Sequence, residues 1–218
     1  MICPICHTEE DAFLPFGSNP RPNALCPQCG SLERHRLLWL YLHDKTNFFK
    51  REHVVLDIAP IRLFSDKWSD FFQDNYISID LSSPLAKIRM DITDLKFSDN
   101  YFDWIICYHV LEHVPDDRKA MQELLRVLKP GGKAIIQVPI FSDATYEDPS
   151  IIAPDEREKA FGQSDHVRRY GDDYADRLRS VGFDVKVDPY VKELESNIVQ
   201  LYGLPNWEDI FLVQKPST

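Results

Sequence analysis

Residues 101–114 read YFDWIICYHVLEHV, and residues 125–140 read LRVLKPGGKAIIQVPI. Each stretch contains an apolar run of strand length, Phe102–Val110 in the first and Lys133–Ile140 in the second. Between the runs, Asp116–Leu128 has the apolar spacing of a helix and is closed by Lys-Pro-Gly-Gly. Strands that are apolar on both faces are typical of a parallel sheet covered by helices. The two stretches therefore predict a strand–helix–strand unit of an α/β protein.

The alternation of strands and helices continues on both sides of this unit. Upstream, the pattern predicts strands at Val54–Ala59, Tyr76–Leu81 and Ala86–Ile92 and a helix at Ile61–Phe72. Downstream, it predicts a helix at Tyr174–Val181 and strands at Phe183–Val191 and Asp209–Gln214, two strands that could pair antiparallel. We therefore expect one mostly parallel sheet with helices on both faces.

Polar residues follow several of these strands where the strands end. They are Asp57 with Ala59 and Pro60, Asp80 with Leu81, Asp91 with Ile92, and His109. Open parallel sheets bind ligands at the carboxyl ends of their strands, and an acid 23 residues after Asp57 is well placed for ribose hydroxyls. A single acid at such a position is more often a helix cap or turn residue. Their joint placement predicts a nucleoside-shaped polar site.

The segments Met90–Cys107, His109–Val114 and Leu125–Gly132 resemble the class I S-adenosylmethionine-dependent methyltransferases, in particular the type 11 methyltransferase-like domain. The resemblance is close over residues 53–140 and weaker beyond. It implies a Rossmann-like sheet of seven strands, mostly parallel, with the last strand antiparallel. It also implies that Asp80 holds the ribose of S-adenosylmethionine, that Asp91 and Ile92 contact adenine, and that His109 lies against the methionyl part.

The first loop departs from the family pattern. The family usually has an acid followed by alternate glycines after the first strand, whereas this chain has Asp57, Ala59, Ile61 and Leu63 at those positions. Glycines there let the backbone turn sharply and approach the cofactor. Either the loop follows another path around the cofactor, or binding is weakened or lost. Because the polar residues at the other three strand ends are present, we expect binding to be retained.

Two cysteine pairs, Cys3-Pro-Ile-Cys6 and Cys26-Pro-Gln-Cys29, lie in the first 31 residues. Two thiolates separated by two residues can point at one ion, and paired units of this kind predict a structural tetrahedral Zn²⁺ site. A redox pair or unliganded thiols are the alternatives, and His7 or His35 could replace a thiolate. Cys107 is expected to be a buried core residue.

The chain is thus predicted to have a zinc ribbon-like module at 1–31, a connecting helix within 32–52 that ends near Phe49, and a methyltransferase domain at 53–218. The net charge of −10 comes entirely from residues 53–218, which argues against a general nucleic-acid binder. No apolar stretch is long enough to cross a membrane, and no secretory signal is visible. We expect a cytoplasmic protein.

Residues 141–170 break the alternation and leave the last parallel strand beside the predicted cofactor site. A long polar segment there predicts a substrate loop or lid. Its polar residues are candidates for catalysis: His166 as the base, Asp165 as its orienting acid, Arg168 to hold an anionic group, and Tyr170 as a further hydroxyl. Tyr170 and His109 are the next candidates for the base. A solvated surface loop is the alternative interpretation.

The stretch His109–His113 also fits the H-x-x-E-H pattern of inverted zinc peptidases, in which both histidines lie on a helix. Here it spans a strand end and is followed by Pro115, so a long helix is not expected and the peptidase interpretation is disfavoured. His113 is predicted to be a capping or packing residue.

These features predict a methyltransferase that uses S-adenosyl-L-methionine and acts on a small or sugar-like metabolite. An alternative is an RNA methyltransferase, because a four-cysteine module before such a domain is similar to ribosomal RNA guanine methyltransferases. A second alternative is a non-catalytic binding module whose first loop no longer takes the cofactor.

Overall fold

A computed structural model describes residues 1–17 and 19–217. In chain order the strands are β1 (Leu14–Phe16), β2 (Arg21–Leu25), β3 (Val55–Ile58), β4 (Tyr76–Asp80), β5 (Ile88–Arg89), β6 (Phe102–Tyr108), β7 (Leu128–Gln137), β8 (Ile140–Ser142), β9 (Tyr146–Glu147), β10 (Arg168–Gly171), β11 (Asp184–Asp188) and β12 (Ile210–Gln214). The helices are α1 (Glu33–Asp44), α2 (Arg62–Phe72), α3 (Asp117–Val127), α4 (Pro154–Phe161), α5 (Tyr174–Arg179), α6 (Tyr190–Glu193) and α7 (Ser196–Tyr202).

Seven strands form one sheet in the order β11-β12-β7-β6-β3-β4-β5. The strands from β7 to β5 are parallel to their neighbours, and β12 pairs antiparallel with β7. This arrangement confirms the predicted Rossmann-like sheet of seven strands with an antiparallel strand at the end of the chain. Every residue of β3 is buried, and Cys107 lies fully buried in β6 as expected.

Helix α3 covers the sheet as its sequence predicts. The carboxylate of Asp116 accepts a hydrogen bond from the backbone of Lys119 and caps the first turn. The apolar stripe of the helix, Ala120, Met121, Leu124 and Val127, is fully buried. Burial of such a stripe is what stabilises a helix of this length in a protein.

The Lys-Pro-Gly-Gly segment was expected to close α3 and precede the next strand, but strand β7 begins earlier, at Leu128. Gly131 has φ +75°, a left-handed conformation that glycine adopts without steric cost. The register between β6 and β7 shifts between Phe102 and Trp104, so the segment forms a bulge within the strand. The strand therefore includes residues that the turn signal had excluded.

Residues 141–170 are more ordered than the predicted loop. They contain β9, α4 and most of β8 and β10, and the three strands form a small sheet in the order β8-β10-β9. Strand β10 is parallel to β8 and antiparallel to β9. The segment is therefore a folded subdomain, because its short strands pair with one another.

The chain divides into two compact units, and the division differs from the predicted domains. One unit contains Met1–Arg51 and Asp188–Ile210; the other contains Glu52–Val187 and the residues from Phe211 onward. The second unit begins at Glu52, next to residue 53 at which the predicted methyltransferase domain begins. Residues 188–210, which the prediction placed in the methyltransferase domain, group instead with the cysteine-containing segment.

Contacts inside the first unit explain that grouping. The fully buried guanidinium of Arg36 donates hydrogen bonds to carbonyl oxygens on both segments, those of Asn23, Ala24, Ser31, Tyr202 and Gly203. The hydroxyl of Tyr41 donates to Asp188 at 2.9 Å. A buried cation is tolerated only when its donors are satisfied. Helix α1 ends at Asp44, before the predicted Phe49.

Within the described residues, no helix is both long enough and apolar enough to cross a bilayer.

Candidate functional site

A cavity of about 720 Å³ opens at the carboxyl ends of the parallel strands in the second unit. Six of the eight residues predicted to bind the cofactor line it: Ala59, Asp80, Leu81, Asp91, Ile92 and His109. The remaining lining includes Met90, Thr93 and His113. The volume lies within the range of small-molecule sites. The sheet therefore brings together the strand-end residues that the sequence singled out.

Ala59 makes the turn that a glycine usually makes in this position. Its φ is +54°, in the left-handed region, and its amide donates a 2.8 Å hydrogen bond to the carbonyl oxygen of Ile79. A left-handed conformation costs a non-glycine residue about 1–2 kcal/mol. His109 has the same unusual conformation, with φ +58°. Both strand ends that flank the cavity thus turn sharply without glycine.

Asp80 and Asp91 are each held by the chain that follows them. Oδ1 of Asp80 accepts hydrogen bonds from the amides of Ser82 and Ser83, at 2.7 and 2.6 Å. Oδ1 of Asp91 accepts from the amide and hydroxyl of Thr93, both at 2.8 Å. In each carboxylate these contacts use one oxygen, so the other can accept hydrogen bonds from a ligand in the cavity.

Asp57 and Pro60 do not line the cavity. Asp57 is only 4% exposed, and its Oδ2 accepts a 2.6 Å hydrogen bond from the hydroxyl of Tyr76. Burial raises the pKa of Asp57 to about 7. The structure therefore places this acid in the core of the strand layer.

Arg168 and Tyr170 were predicted to contact the substrate, and the structure gives their side chains other partners. Arg168 is buried and donates to the carbonyl oxygens of Leu111, Val114 and Pro115 and to the carboxylate of Glu147. The hydroxyl of Tyr170 is buried and donates to Asp117 at 2.6 Å. Neither lines the cavity. Their hydrogen bonds brace the turn at residues 111–115.

His166 is 1% exposed and does not line the cavity, whereas its neighbour Asp165 does. Asp165 was expected to orient His166, but its Oδ2 lies 3.3 Å from Nδ1 of His113. Nδ1 of His166 lies 3.2 Å from the carbonyl oxygen of Phe161. Burial lowers the pKa of His166. These positions do not favour His166 as the base that deprotonates a substrate.

His113 was predicted to be a capping or packing residue and Glu112 had no predicted role, yet the structure places both beside His166. One side-chain donor atom from each of the three lies within 4.8 Å of the other two. Glu112 is 2% exposed, and its Oε1 lies 3.2 Å from Nδ1 of His109. The H-x-x-E-H pattern contains both Glu112 and His113. The peptidase interpretation of this pattern was disfavoured because it requires a helix. Here a short 3₁₀ turn, Leu111–His113, presents the residues.

The four cysteines of the first unit form a second cluster, with all four Sγ atoms within 4.8 Å of one another. Sγ of Cys3 lies 3.6 Å from that of Cys29, and Sγ of Cys6 lies 3.7 Å from that of Cys26. These separations exceed the ~2.05 Å of a disulfide. They match the edge of a tetrahedron, about 3.8 Å, that Zn–S bonds of ~2.3 Å produce. The donor set therefore fits Zn²⁺.

Two similar turns build this cluster. The amide of His7 donates to the carbonyl of Cys3 and that of Gly30 to the carbonyl of Cys26, at 2.8 and 3.0 Å. His7 and Gly30 both have left-handed conformations, with φ +61° and +70°. His35, an alternative ligand in the sequence, instead accepts a hydrogen bond at Nδ1 from the amide of Leu32.

Comparison with known proteins places this site in a family context. Residues 52–136 match a family described as a methyltransferase domain. An uncharacterized protein of Methanocaldococcus jannaschii is 38% identical over 98 residues, which are 41% of this chain and 42% of that protein. Phosphoethanolamine N-methyltransferase 2 of Caenorhabditis elegans is 35% identical over 105 residues, 40% of this chain and 24% of that protein. The match thus spans less than half of either relative.

The fold has counterparts among solved structures. Phosphoethanolamine N-methyltransferase 2 of Haemonchus contortus, in complex with phosphomonomethylethanolamine and S-adenosylhomocysteine, superposes with a TM-score of 0.56 at 17% identity. The superposition covers 83% of this chain and 52% of that one. Residues 52–136 of this chain are therefore similar to a methyltransferase domain, and the strand order and the superposition show that the chain has the fold of that solved methyltransferase.

Proposed function

We propose that the chain binds S-adenosylmethionine in the cavity at the strand ends and transfers its methyl group to a small polar or sugar-like metabolite. The observation that carries the proposal is the pair of carboxylates, Asp80 and Asp91, that line the cavity with one oxygen each held by backbone amides. Asp80 ends strand β4, where it would accept hydrogen bonds from the ribose hydroxyls.

Three features of the cavity fit this cofactor. Its volume of about 720 Å³ is large enough for a nucleoside with an amino-acid tail. The small side chain of Ala59 leaves the sharp turn after β3 open to a ligand. Nε2 of His109 is buried and has no hydrogen-bond partner, which leaves a polar atom to be satisfied at the cavity wall.

S-adenosylmethionine supplies an electrophilic methyl group on a sulfonium, so the protein needs chiefly to position the acceptor. The residues in this role would lie on the wall formed by His109, His113 and Asp165. Asp165 is exposed and would accept a proton or a hydrogen bond from a polar acceptor. The acid excess of residues 53–218 favours a small acceptor over RNA. The relative from C. elegans, by its name, also methylates a small molecule.

We propose further that Cys3, Cys6, Cys26 and Cys29 hold one structural Zn²⁺. The sulfur separations and the two matching turns support this assignment. Thiolate ligands of this kind persist in a reducing compartment, so we propose a cytoplasmic location.

Calorimetric titration of the full chain with S-adenosylmethionine tests the cofactor assignment, and a methylation screen with the radiolabelled cofactor tests the acceptor class. We expect the radiolabelled methyl group to appear in a fraction that contains small metabolites. Transfer to RNA alone would contradict the proposed acceptor, and failure to bind the cofactor at millimolar concentration would favour a non-catalytic module.

A further inference from the structure

The cluster of Glu112, His113 and His166 is an assembly of ligand-type side chains that the cofactor cavity does not account for. The three donor atoms lie within 4.8 Å of one another. Ligands bound to one first-row divalent ion at ~2.1 Å are separated by at most about 4.2 Å. The observed limit of 4.8 Å is close to this separation.

Two of the three side chains are buried and have an unsatisfied polar atom. Glu112 and His166 are 2% and 1% exposed, and neither Oε2 of Glu112 nor Nε2 of His166 has a hydrogen-bond partner. Among the described residues, Glu112 forms its one ion pair with the His109 ring, and neither lysine nor arginine neutralises it. An unpaired buried group costs about 1–3 kcal/mol. A bound cation would remove this cost at both atoms.

The protonation of His166 suits a metal ligand. Its Nδ1 faces the carbonyl oxygen of Phe161, and a carbonyl can only accept a hydrogen bond. Nδ1 therefore carries the proton, and Nε2 keeps its lone pair. Nδ1 of His113 likewise has Asp165 as a partner. Metal-binding histidines typically direct one ring nitrogen to a carbonyl or carboxylate in this way.

The backbone that carries Glu112 and His113 is held in place from β10. The guanidinium of Arg168 donates to three carbonyl oxygens of the turn, those of Leu111, Val114 and Pro115. The amide of Val167 donates to the carbonyl oxygen of Glu112 at 2.9 Å. This clamp fixes the turn relative to the segment that carries His166, so the donor atoms are pre-organised.

From these observations we infer that Glu112, His113 and His166 bind a divalent transition-metal ion at the edge of the cofactor cavity. Two imidazoles and one carboxylate suit Zn²⁺, Fe²⁺ or Mn²⁺ better than Mg²⁺, which prefers oxygen ligands. Three protein ligands leave coordination positions open. Since His113 also lines the cavity, a ligand in the cavity would lie beside the ion. A further step rests on the proposed function: the methyl acceptor is a metabolite with a metal-binding oxygen, such as a hydroxyl or carboxylate.

Titration of the full chain with MnCl₂, followed by electron paramagnetic resonance of the free ion, tests the site. Mn²⁺ is a suitable probe because the cysteine cluster, with its soft thiolates, prefers other metals. We expect one bound Mn²⁺ per chain and at least about tenfold weaker binding in Glu112→Gln and His166→Gln. Glu112→Gln retains the side-chain volume, and thermal unfolding of each variant without metal establishes that it folds. His43→Gln, an exposed histidine outside the cluster, serves as the matched control and should bind as wild type does.

Wild-type protein that does not bind Mn²⁺, or folded Glu112→Gln and His166→Gln variants that bind Mn²⁺ as wild type does, would overturn the inference. Titration of the same samples with S-adenosylmethionine separates this result from the proposed function. Loss of metal binding with cofactor binding intact refutes the metal site alone. Metal binding without cofactor binding refutes the proposed function and the acceptor class, and leaves the metal site standing.

Discussion

The hydroxyl of Tyr76 donates a 2.6 Å hydrogen bond to Oδ2 of Asp57, and both side chains are buried within the sheet layer. Asp57 belongs to β3 and Tyr76 to β4, so the bond joins two adjacent parallel strands directly below the turn at Ala59. It holds an acid whose pKa burial raises to about 7. Asp57, which the sequence predicted to bind the cofactor, is therefore a buried structural group whose charge depends on pH.

Asp57 is expected to contribute less to stability as the pH rises from about 4 to 7. In this window the folded chain retains the proton of Asp57, with its pKa of about 7, whereas the unfolded chain has lost it near the ordinary value of 3.8. At this group the folded state then binds more protons, so the contribution of Asp57 to the free energy of unfolding decreases with pH, by up to about 4 kcal/mol. Asp57→Asn should weaken this dependence. Urea unfolding of both proteins across the pH range measures it, and equal slopes would contradict the assignment.

Replacement of Ala59 by glycine should leave stability unchanged or raise it by up to about 1 kcal/mol, because glycine relieves the left-handed conformation. The matched control is Ala160→Gly within α4, where the substitution should cost about 1 kcal/mol. Thermal denaturation of the two variants provides the comparison. An equal loss in both would show that the turn at Ala59 is not strained.

Arg168→Lys should loosen the turn at residues 111–115 without unfolding the chain. A lysine retains the charge but cannot reach all the carbonyl oxygens that the guanidinium contacts. We expect weaker Mn²⁺ binding with little change in affinity for S-adenosylmethionine. Arg169→Lys, on the adjacent residue of β10, is the control and should have no such effect. If the two variants bind Mn²⁺ equally, Arg168 does not position the cluster.

Cys26→Ser should remove the structural zinc and destabilise the first unit, because three thiolates bind the ion more weakly than four. Metal analysis of the purified wild type, after exposure to a chelator that clears weaker sites, should give about one zinc per chain. Cys107 lies outside the cluster, so the control variant Cys107→Ser should retain the zinc. Folded wild-type protein without zinc would contradict the site.

The continuous apolar strands and the family pattern were enough to predict the seven-stranded sheet, because periodicity and strand burial are local properties of the sequence. The strand-end residues Asp80, Asp91 and His109 were picked out for the same reason, and the structure places them around one cavity; their contact with the cofactor stays a prediction. Arg168 and Tyr170 were predicted to contact the substrate, whereas the structure gives their side chains partners within the protein. Sequence position cannot show which way a side chain points once β8, β9 and β10 pair. Glu112, His113 and His166 meet only through that pairing.

The central claim is that S-adenosylmethionine binds in the cavity through the carboxylate of Asp80. Isothermal titration calorimetry of wild type, Asp80→Ala and the control Asp70→Ala, an exposed acid on α2, tests it most directly. Loss of hydrogen bonds to a charged acceptor should weaken binding by about 1.5–3 kcal/mol in Asp80→Ala, roughly 10- to 150-fold, and leave Asp70→Ala unchanged. Equal affinity in all three proteins, or no binding by the wild type at millimolar cofactor, would contradict it.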